Sequence, residues 1–191
     1  MNPLLKVIQL HKNETQLIKR AVENDRDAQR TLFDLYAPKM LSVCRYYIRD
    51  VHFAEEVMLN GFFKTFQNIK SFRNEGSFEG WVRRIMVREC ISYLRAQKKI
   101  EFTTDNIEVH DKVIDSTESQ MTVAEIQLLI DNLPDGYRMV FNMYAIEGYK
   151  HHEIAKMLNI TEGTSKSQLF KARKLLQEGI KSLNTANNGT N

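Results

Sequence analysis

The chain has 191 residues, room for one domain or two small ones, and 42% of them are apolar, enough for a packed core. Eight glycines and three prolines argue against a turn-rich all-β fold, and no stretch reaches the ~18 apolar residues of a membrane span. The formal charge is only +3, from 27 basic and 24 acidic side chains, so the total says little about a polyanionic partner.

Residues 3–10 form a short apolar run broken by Lys6, too weak for a secretory signal, which points to a cytosolic protein. Cys44 and Cys90 belong to no C-x-x-C pair and sit among helix-forming apolar residues, so both are expected as buried free thiols. Apolar residues recur at helical spacing over 14–36: Leu17, Ala21, Ala28, Leu32 and Leu35 share a face, joined by Ile18, Val22 and Phe33. Pro38 breaks or restarts the pattern, and Met40, Leu41, Cys44, Tyr47 and Ile48 begin a second helix. A third helix is expected over 53–69. A fourth starts near Ser77 and runs through Trp81, Ile85, Met86, Cys90 and Leu94. The expected organisation is therefore an N-terminal extension (1–13), a four-helix unit (14–99), a linker (100–120), a second helical unit (121–183) and a disordered polar tail (184–191). The fold class is all-α.

Charge is segregated along the chain, on divisions that meet these boundaries only at 99/100. Residues 1–63 carry net +1, residues 64–99 net +6, residues 100–135 net −8, and residues 136–191 net +4. The acidic stretch is either a plain solvated tether or a chain suited to a channel built for nucleic acid.

In the second half, Ile126, Leu129, Ile130 and Leu133 keep the i, i+3, i+4, i+7 rule, and Pro134-Asp135-Gly136 is a turn signal. Val140, Phe141, Tyr144 and Ala145 make the next helix, which Gly148 is placed to end. A short helix over 152–158 turns Ile154, Ala155 and Leu158 inward. Asn159 suits a left-handed cap, and Thr161 suits the N-cap of the following helix. That last helix has Leu169, Ala172 and Leu176 on its back and Ser167, Lys171 and Lys174 on an opposed stripe. Two short helices joined by a three-residue turn, the second with a basic front, are the helix-turn-helix pattern, whose second helix reads the major groove. Thr164, Ser165, Lys166 and Ser167 are the expected base readers, and Lys171, Arg173 and Lys174 the phosphate contacts. The competing interpretation is an αα-hairpin with a solvated basic face.

Residues 133–149, from Leu-Pro-Asp-Gly-Tyr-Arg to Glu-Gly-Tyr, together with Glu153-Ile-Ala-Lys-Met-Leu and Thr161 to Ser167, resemble region 4 of the extracytoplasmic-function sigma factors, in a form close to that of Bacteroidetes. Ala54-Glu-Glu-Val, Phe62-Phe-Lys, Ser71-Phe-Arg, Trp81-Val-Arg-Arg-Ile and Tyr93-Leu-Arg resemble region 2 of the same family. The resemblance implies a cytoplasmic, nucleoid-associated, non-enzymatic subunit with no cofactor. Its implied partners are promoter DNA and bacterial core RNA polymerase, the latter through clamp helices and flap. An anti-sigma factor is a further implied partner. In agreement, there is no Gly-rich phosphate loop, nucleophile elbow or metal-ligand cluster, and the adjacent His151 and His152 point apart on a helix.

By the same resemblance, Glu55, Glu56, Leu59, Asn60 and Phe63 would contact polymerase. Phe72, Arg73, Phe78, Trp81, Arg84, Arg88, Ser92 and Arg95 would engage the −10 element, where aromatic faces stack on unpaired bases while arginines hold the backbone. For Phe78 and Trp81 the alternative is a place in the core. The family commonly has Gln and an acidic residue where Leu59 and Asn60 stand, and Asn and Asp where Arg88 and Ser92 stand. The first departure implies altered core binding. The second implies relaxed −10 reading, compensated by a separate DNA-bound recruiting factor. The rival assignments are a degenerate sigma factor that sequesters polymerase or an anti-sigma factor, and a stand-alone helix-turn-helix regulator.

Overall fold

The computed structural model describes residues 3–97, 102 and 122–188. The expected acidic linker, residues 100–120, lies outside the described residues except for residue 102. All regular structure among the described residues is helical, and the fold is all-α. The chain divides into two compact units, one ending at Tyr93 and the other beginning at Leu94, so the division falls in the last turn of a helix.

The first unit contains α1 (Pro3–Val22), α2 (Arg26–Tyr47), α3 (Val51–Gln67), a 3-10 turn (Ile69–Ser71) and all but the last turn of α4 (Phe78–Ala96). The continuous helix expected over 14–36 is interrupted. Asn24 takes a left-handed conformation (φ 63°), and Asp25 starts a new helix by accepting bonds from the Asp27 and Ala28 N–H groups at 3.0 and 3.1 Å. Pro38, by contrast, lies inside α2 and ends nothing. An interior proline costs ~3 kcal/mol. Leu32 and Tyr36 before it and Met40 and Val43 after it are all buried, at ~1.5–3 kcal/mol each, so packing on both sides outweighs the break.

Cys44 and Cys90 are buried thiols, neither in a disulfide, as expected. A Cβ on Gly61 of α3 would run into Met86 Sδ of α4, so these helices meet through a residue with no side chain. Phe33 and Phe62 pack edge to face at 4.8 Å, and Tyr36 donates to Glu14 Oε1 at 2.7 Å. Burial and that carboxylate both push the Tyr36 phenol far above its usual range.

The second unit contains α5 (Val123–Asp131), α6 (Asp135–Phe141), a π-helical turn (Asn142–Ile146), α7 (His151–Leu158) and α8 (Glu162–Asn188). A capping box between Thr122 and Glu125 opens α5. Between α5 and α6 the buried Arg138 guanidinium bonds Asp135 Oδ1 at 2.9 Å and the Asp131 carbonyl at 3.4 Å, which ties the Pro134 turn shut. Gly148 (φ 74°) turns the chain out of the π-helical segment. Gly179 lies against Leu129, bringing α8 onto α5. The tail expected to be disordered from 184 is helical through Asn188. Once a long helix is nucleated, adding residues costs little, and Thr185 supports the extension by donating to the Lys181 carbonyl at 2.9 Å.

Candidate nucleic-acid interface

The α7–turn–α8 segment has the geometry its sequence predicts. Ile154, Ala155 and Leu158 are buried on α7, and Leu169 and Ala172 on α8. Asn159 is left-handed (φ 56°, ψ 48°), and Thr161 Oγ1 accepts the Thr164 N–H at 3.0 Å. The face presented to solvent differs from the expected one. Thr164, Ser165 and Ser167 are buried, with Ser165 fully enclosed, so none of the three can reach a base edge. Each hydroxyl is bonded internally. Ser165 Oγ lies 2.9 Å from His151 Nδ1, Ser167 Oγ donates to the Thr164 carbonyl at 3.0 Å, and Thr164 Oγ1 lies 2.9 Å from Thr161 Oγ1. These hydroxyls lock α8 against α7 and against its own first turn.

The exposed front of α8 is instead Glu162, Gly163, Lys166, Phe170 and Lys174, with Arg173 and Lys171 half-exposed on its flanks. At ~100° per residue, Lys166, Phe170 and Lys174 lie within about 80° of one another. The stripe is thus turned by one position from Ser167–Lys171–Lys174. Phe170 escaped the sequence analysis because an aromatic at helical spacing reads as core; it is 38% exposed. The Arg173 guanidinium lies 5.6 Å over the Tyr144 ring, which itself stacks on His151 at 4.7 Å.

In the first unit, α4 carries the other basic face. Arg84, Arg88, Ser92 and Arg95 are exposed and Trp81 is half-buried. On the helical wheel these five fall within about 80°. Phe78 is buried, which corrects its assignment to base stacking. It packs beneath Phe72 and Trp81 at 5.3 and 5.7 Å and holds their half-exposed rings, 5.5 Å apart, at the surface. Loop residues 72–77 lead into α4, with Asn74 left-handed (φ 60°) and Ser77 Oγ accepting the Gly80 N–H at 3.1 Å. A cavity of about 250 Å³ opens here, lined by Phe72, Arg73, Ser77, Trp81 and Arg84 among others.

The charges separate into two sets. Lys39, Lys64, Arg20 and Arg138 are each paired with a carboxylate. Arg73, Arg84 and Arg88 have no acidic partner among the described residues. Arg73 and Arg84 line the aromatic cavity, and Arg88 lies one turn further along α4.

On α3, Glu55, Glu56, Leu59, Asn60 and Phe63 are all exposed, on one face of the helix. Leu59 is 53% and Phe63 64% exposed, an apolar centre with an acidic end. Among the described residues no helix is long and apolar enough to cross a membrane, and no cluster of His, Cys, Asp and Glu could hold a metal.

The family profile for Sigma-70 region 2 matches residues 32–100, and that for Sigma-70 region 4 matches residues 124–176. The chain is 27% identical over 182 residues to the ECF RNA polymerase sigma-E factor of Haemophilus influenzae, covering 87% of this chain and 95% of that protein. It is 27% identical over 179 residues to the ECF RNA polymerase sigma factor SigW of Bacillus subtilis, covering 87% and 96%. Its fold is similar to that of the sigma factor RpoE of Bartonella quintana, solved in complex with the anti-sigma factor NepR. There the TM-score is 0.53 at 18% identity, over 80% of this chain and 96% of that one.

Proposed function

Since the chain belongs to the extracytoplasmic-function sigma factors, which bind core RNA polymerase and promoter DNA in transcription initiation, we propose a division of labour among its three exposed faces. The α4 face, with Phe72, Trp81, Arg73, Arg84, Arg88, Ser92 and Arg95, takes the melted −10 strand. The α8 front, with Lys166, Phe170 and Lys174, enters the duplex at the −35 element, and Arg173 and Lys171 reach its phosphates. The α3 face, centred on Leu59 and Phe63, docks on the polymerase clamp, and region 4 on the flap. The observation that carries this reading is the set of arginines on the α4 face that lack carboxylate partners, beside half-exposed aromatic rings.

The domain boundaries that go with it are 14–99 for region 2 and 121–183 for region 4, joined by the acidic stretch 100–120. With six acidic side chains against one basic, residues 100–120 carry net −5, which suits passage through a channel shaped for nucleic acid. The apolar centre on α3 also fits an anti-sigma factor, since a partner that covers Leu59 and Phe63 blocks polymerase docking.

Arg88 and Ser92 supply positive charge and a small hydroxyl, which favour phosphate attraction over reading of base edges. The −10 reading is therefore relaxed, and a DNA-bound partner that recruits the protein supplies the missing selectivity. Run-off transcription with core polymerase and this protein alone tests the proposal. Weak initiation that tolerates −10 substitutions, and rises when upstream DNA-bound partners are added, supports it. Strong initiation abolished by single −10 changes contradicts relaxed reading. Stable co-purification with core polymerase and no initiation under any condition would favour a sequestering role.

A further inference from the structure

In the second unit, the Lys166 edge of the α8 front carries a stack of side chains drawn from three elements. Arg173 follows Lys166 by seven residues, which places the two about 20° apart around the helix. It has no acidic partner among the described residues. Its guanidinium meets the ring of Tyr144 instead, with Cζ 5.6 Å from the ring centre. Tyr144 in turn stacks on His151, with 4.7 Å between ring centres and 24° between planes.

Local structure sets each member of the stack. In a regular α-helix Tyr144 would follow Val140 by four residues onto the buried face. The π-helical turn is wider: the Glu147 N–H bonds the Asn142 carbonyl, five residues back, at 2.9 Å. Tyr144 is thereby moved off the core face and exposed, while Asn142 and Met143 stay buried. His151 is the first residue of α7, where the helix fixes its backbone. The edge of its ring meets Ser165 Oγ at 2.9 Å, a tie between α7 and α8, and the face of the ring is left for Tyr144.

A carboxylate in the place of Tyr144 would also hold the arginine, but it would neutralise the charge and occupy the N–H donors. A ring attracts the guanidinium through its negative face and leaves both the charge and the donors for another group. An arginine free in solvent loses rotamer freedom when it binds a phosphate, and one already held on a ring loses less. We infer that Tyr144, held by its stack on His151, is a positioning residue that aims Arg173 at a backbone phosphate of the −35 duplex. The inference rests on the phosphate role proposed above for Arg173. It gives the π-helical turn a part in DNA binding that acts through α8.

The test titrates holoenzyme, core polymerase plus this protein, with −35 duplex at several salt concentrations. Tyr144→Leu removes the ring at unchanged net charge and should weaken binding about three- to tenfold, the range for one long side chain that must be ordered on binding. Tyr144→Phe keeps the ring and should bind like wild type. Arg173→Ala should weaken binding several-fold and reduce the salt slope by about one unit. In the Arg173→Ala background, Tyr144→Leu should have no further effect, because the side chain it positions is gone. Proton NMR of the full chain supplies a second readout: the ring shifts the Arg173 side-chain resonances, and this shift should persist in Tyr144→Phe and vanish in Tyr144→Leu. Circular-dichroism melting checks that each variant is folded. An equal loss from Tyr144→Leu with and without Arg173 overturns the positioning role, and so does a Tyr144→Phe as weak as Tyr144→Leu. Wild-type binding by Tyr144→Leu beside a weakened Arg173→Ala overturns this inference and leaves the phosphate role standing. Wild-type affinity and salt slope in Arg173→Ala overturn both.

Discussion

The two basic faces of this protein are built on opposite plans. The α4 face in the first unit is recessed: half-exposed rings of Phe72 and Trp81 rest on buried Phe78, with cavities lined by Arg73, Arg84 and Arg88. The α8 face in the second unit projects: Lys166, Phe170 and Lys174 stand out from a helix whose first three hydroxyls, on Thr164, Ser165 and Ser167, are turned inward. Under the proposed function, the contrast follows from what each face would meet. An unpaired base has an apolar face that gains from being enclosed, worth ~1–3 kcal/mol per stack. A paired base offers only its edge at the floor of a groove, which a protruding side chain reaches.

The largest expected effect is on the recessed face. Trp81→Ala should weaken holoenzyme binding to fork-junction DNA by roughly 10- to 100-fold, the range of one or two lost stacks. Binding of a −35 duplex, read by filter retention, should stay within about twofold. A smaller effect is expected on the projecting face. Lys166→Ala and Lys174→Ala should each lower −35 affinity several-fold and reduce the salt slope by about one unit, as for a lost phosphate contact.

The contrast also separates residues within α8. Ser165→Ala removes the hydroxyl that meets His151 and should cost on the order of 1 kcal/mol of stability, visible as a lower Tm. Its −35 affinity, measured well below that Tm, should equal wild type. A selective loss of −35 affinity would restore Ser165 as a reader.

The smallest effect concerns the caps that hold these faces in place. The Ala28 N–H and then the Arg20 guanidinium hold the Asp25 carboxyl below its usual range, and the Thr122 backbone and hydroxyl do the same for Glu125. A depressed folded-state pKa means the stabilisation is present above the ordinary carboxylate range and is lost as pH falls through the lowered value. Asp25→Ala should therefore lower Tm at pH 7 and leave it unchanged near pH 2. A loss that persists at pH 2 would mean that something other than the carboxylate's charge is responsible.

Much of this architecture is legible in the sequence because its signals are local. Asn159 and Thr161 mark the turn between α7 and α8 through their own backbone preferences, and the structure has both as expected. Ile154, Leu158, Leu169 and Ala172 declare the core by spacing. The failures are places where tertiary packing overrides a local signal. Pro38 should break α2, but buried neighbours on both sides keep it helical. Thr164, Ser165 and Ser167 look like outward-facing readers because they are polar, yet short hydroxyls that find partners close by are buried at little cost. Phe170 is the converse, an apolar residue that periodicity alone assigns inward. The pairing of Lys64 with Glu89 joins two helices, and the lack of an acidic partner for Arg73, Arg84 and Arg88 among the described residues depends on where each of those carboxylates lies. Neither can be read from spacing.

The most direct measurement is a crossed one. Trp81→Ala and the double variant Lys166→Ala/Lys174→Ala, each in holoenzyme with core polymerase, are titrated against two DNAs: a fork junction lacking the −35 duplex, and a −35 duplex lacking the melted strand. The division between a recessed face for single strand and a projecting face for duplex predicts that each variant loses affinity for one DNA only, Trp81→Ala for the fork and the lysine variant for the duplex. Equal losses on both DNAs by either variant would contradict it.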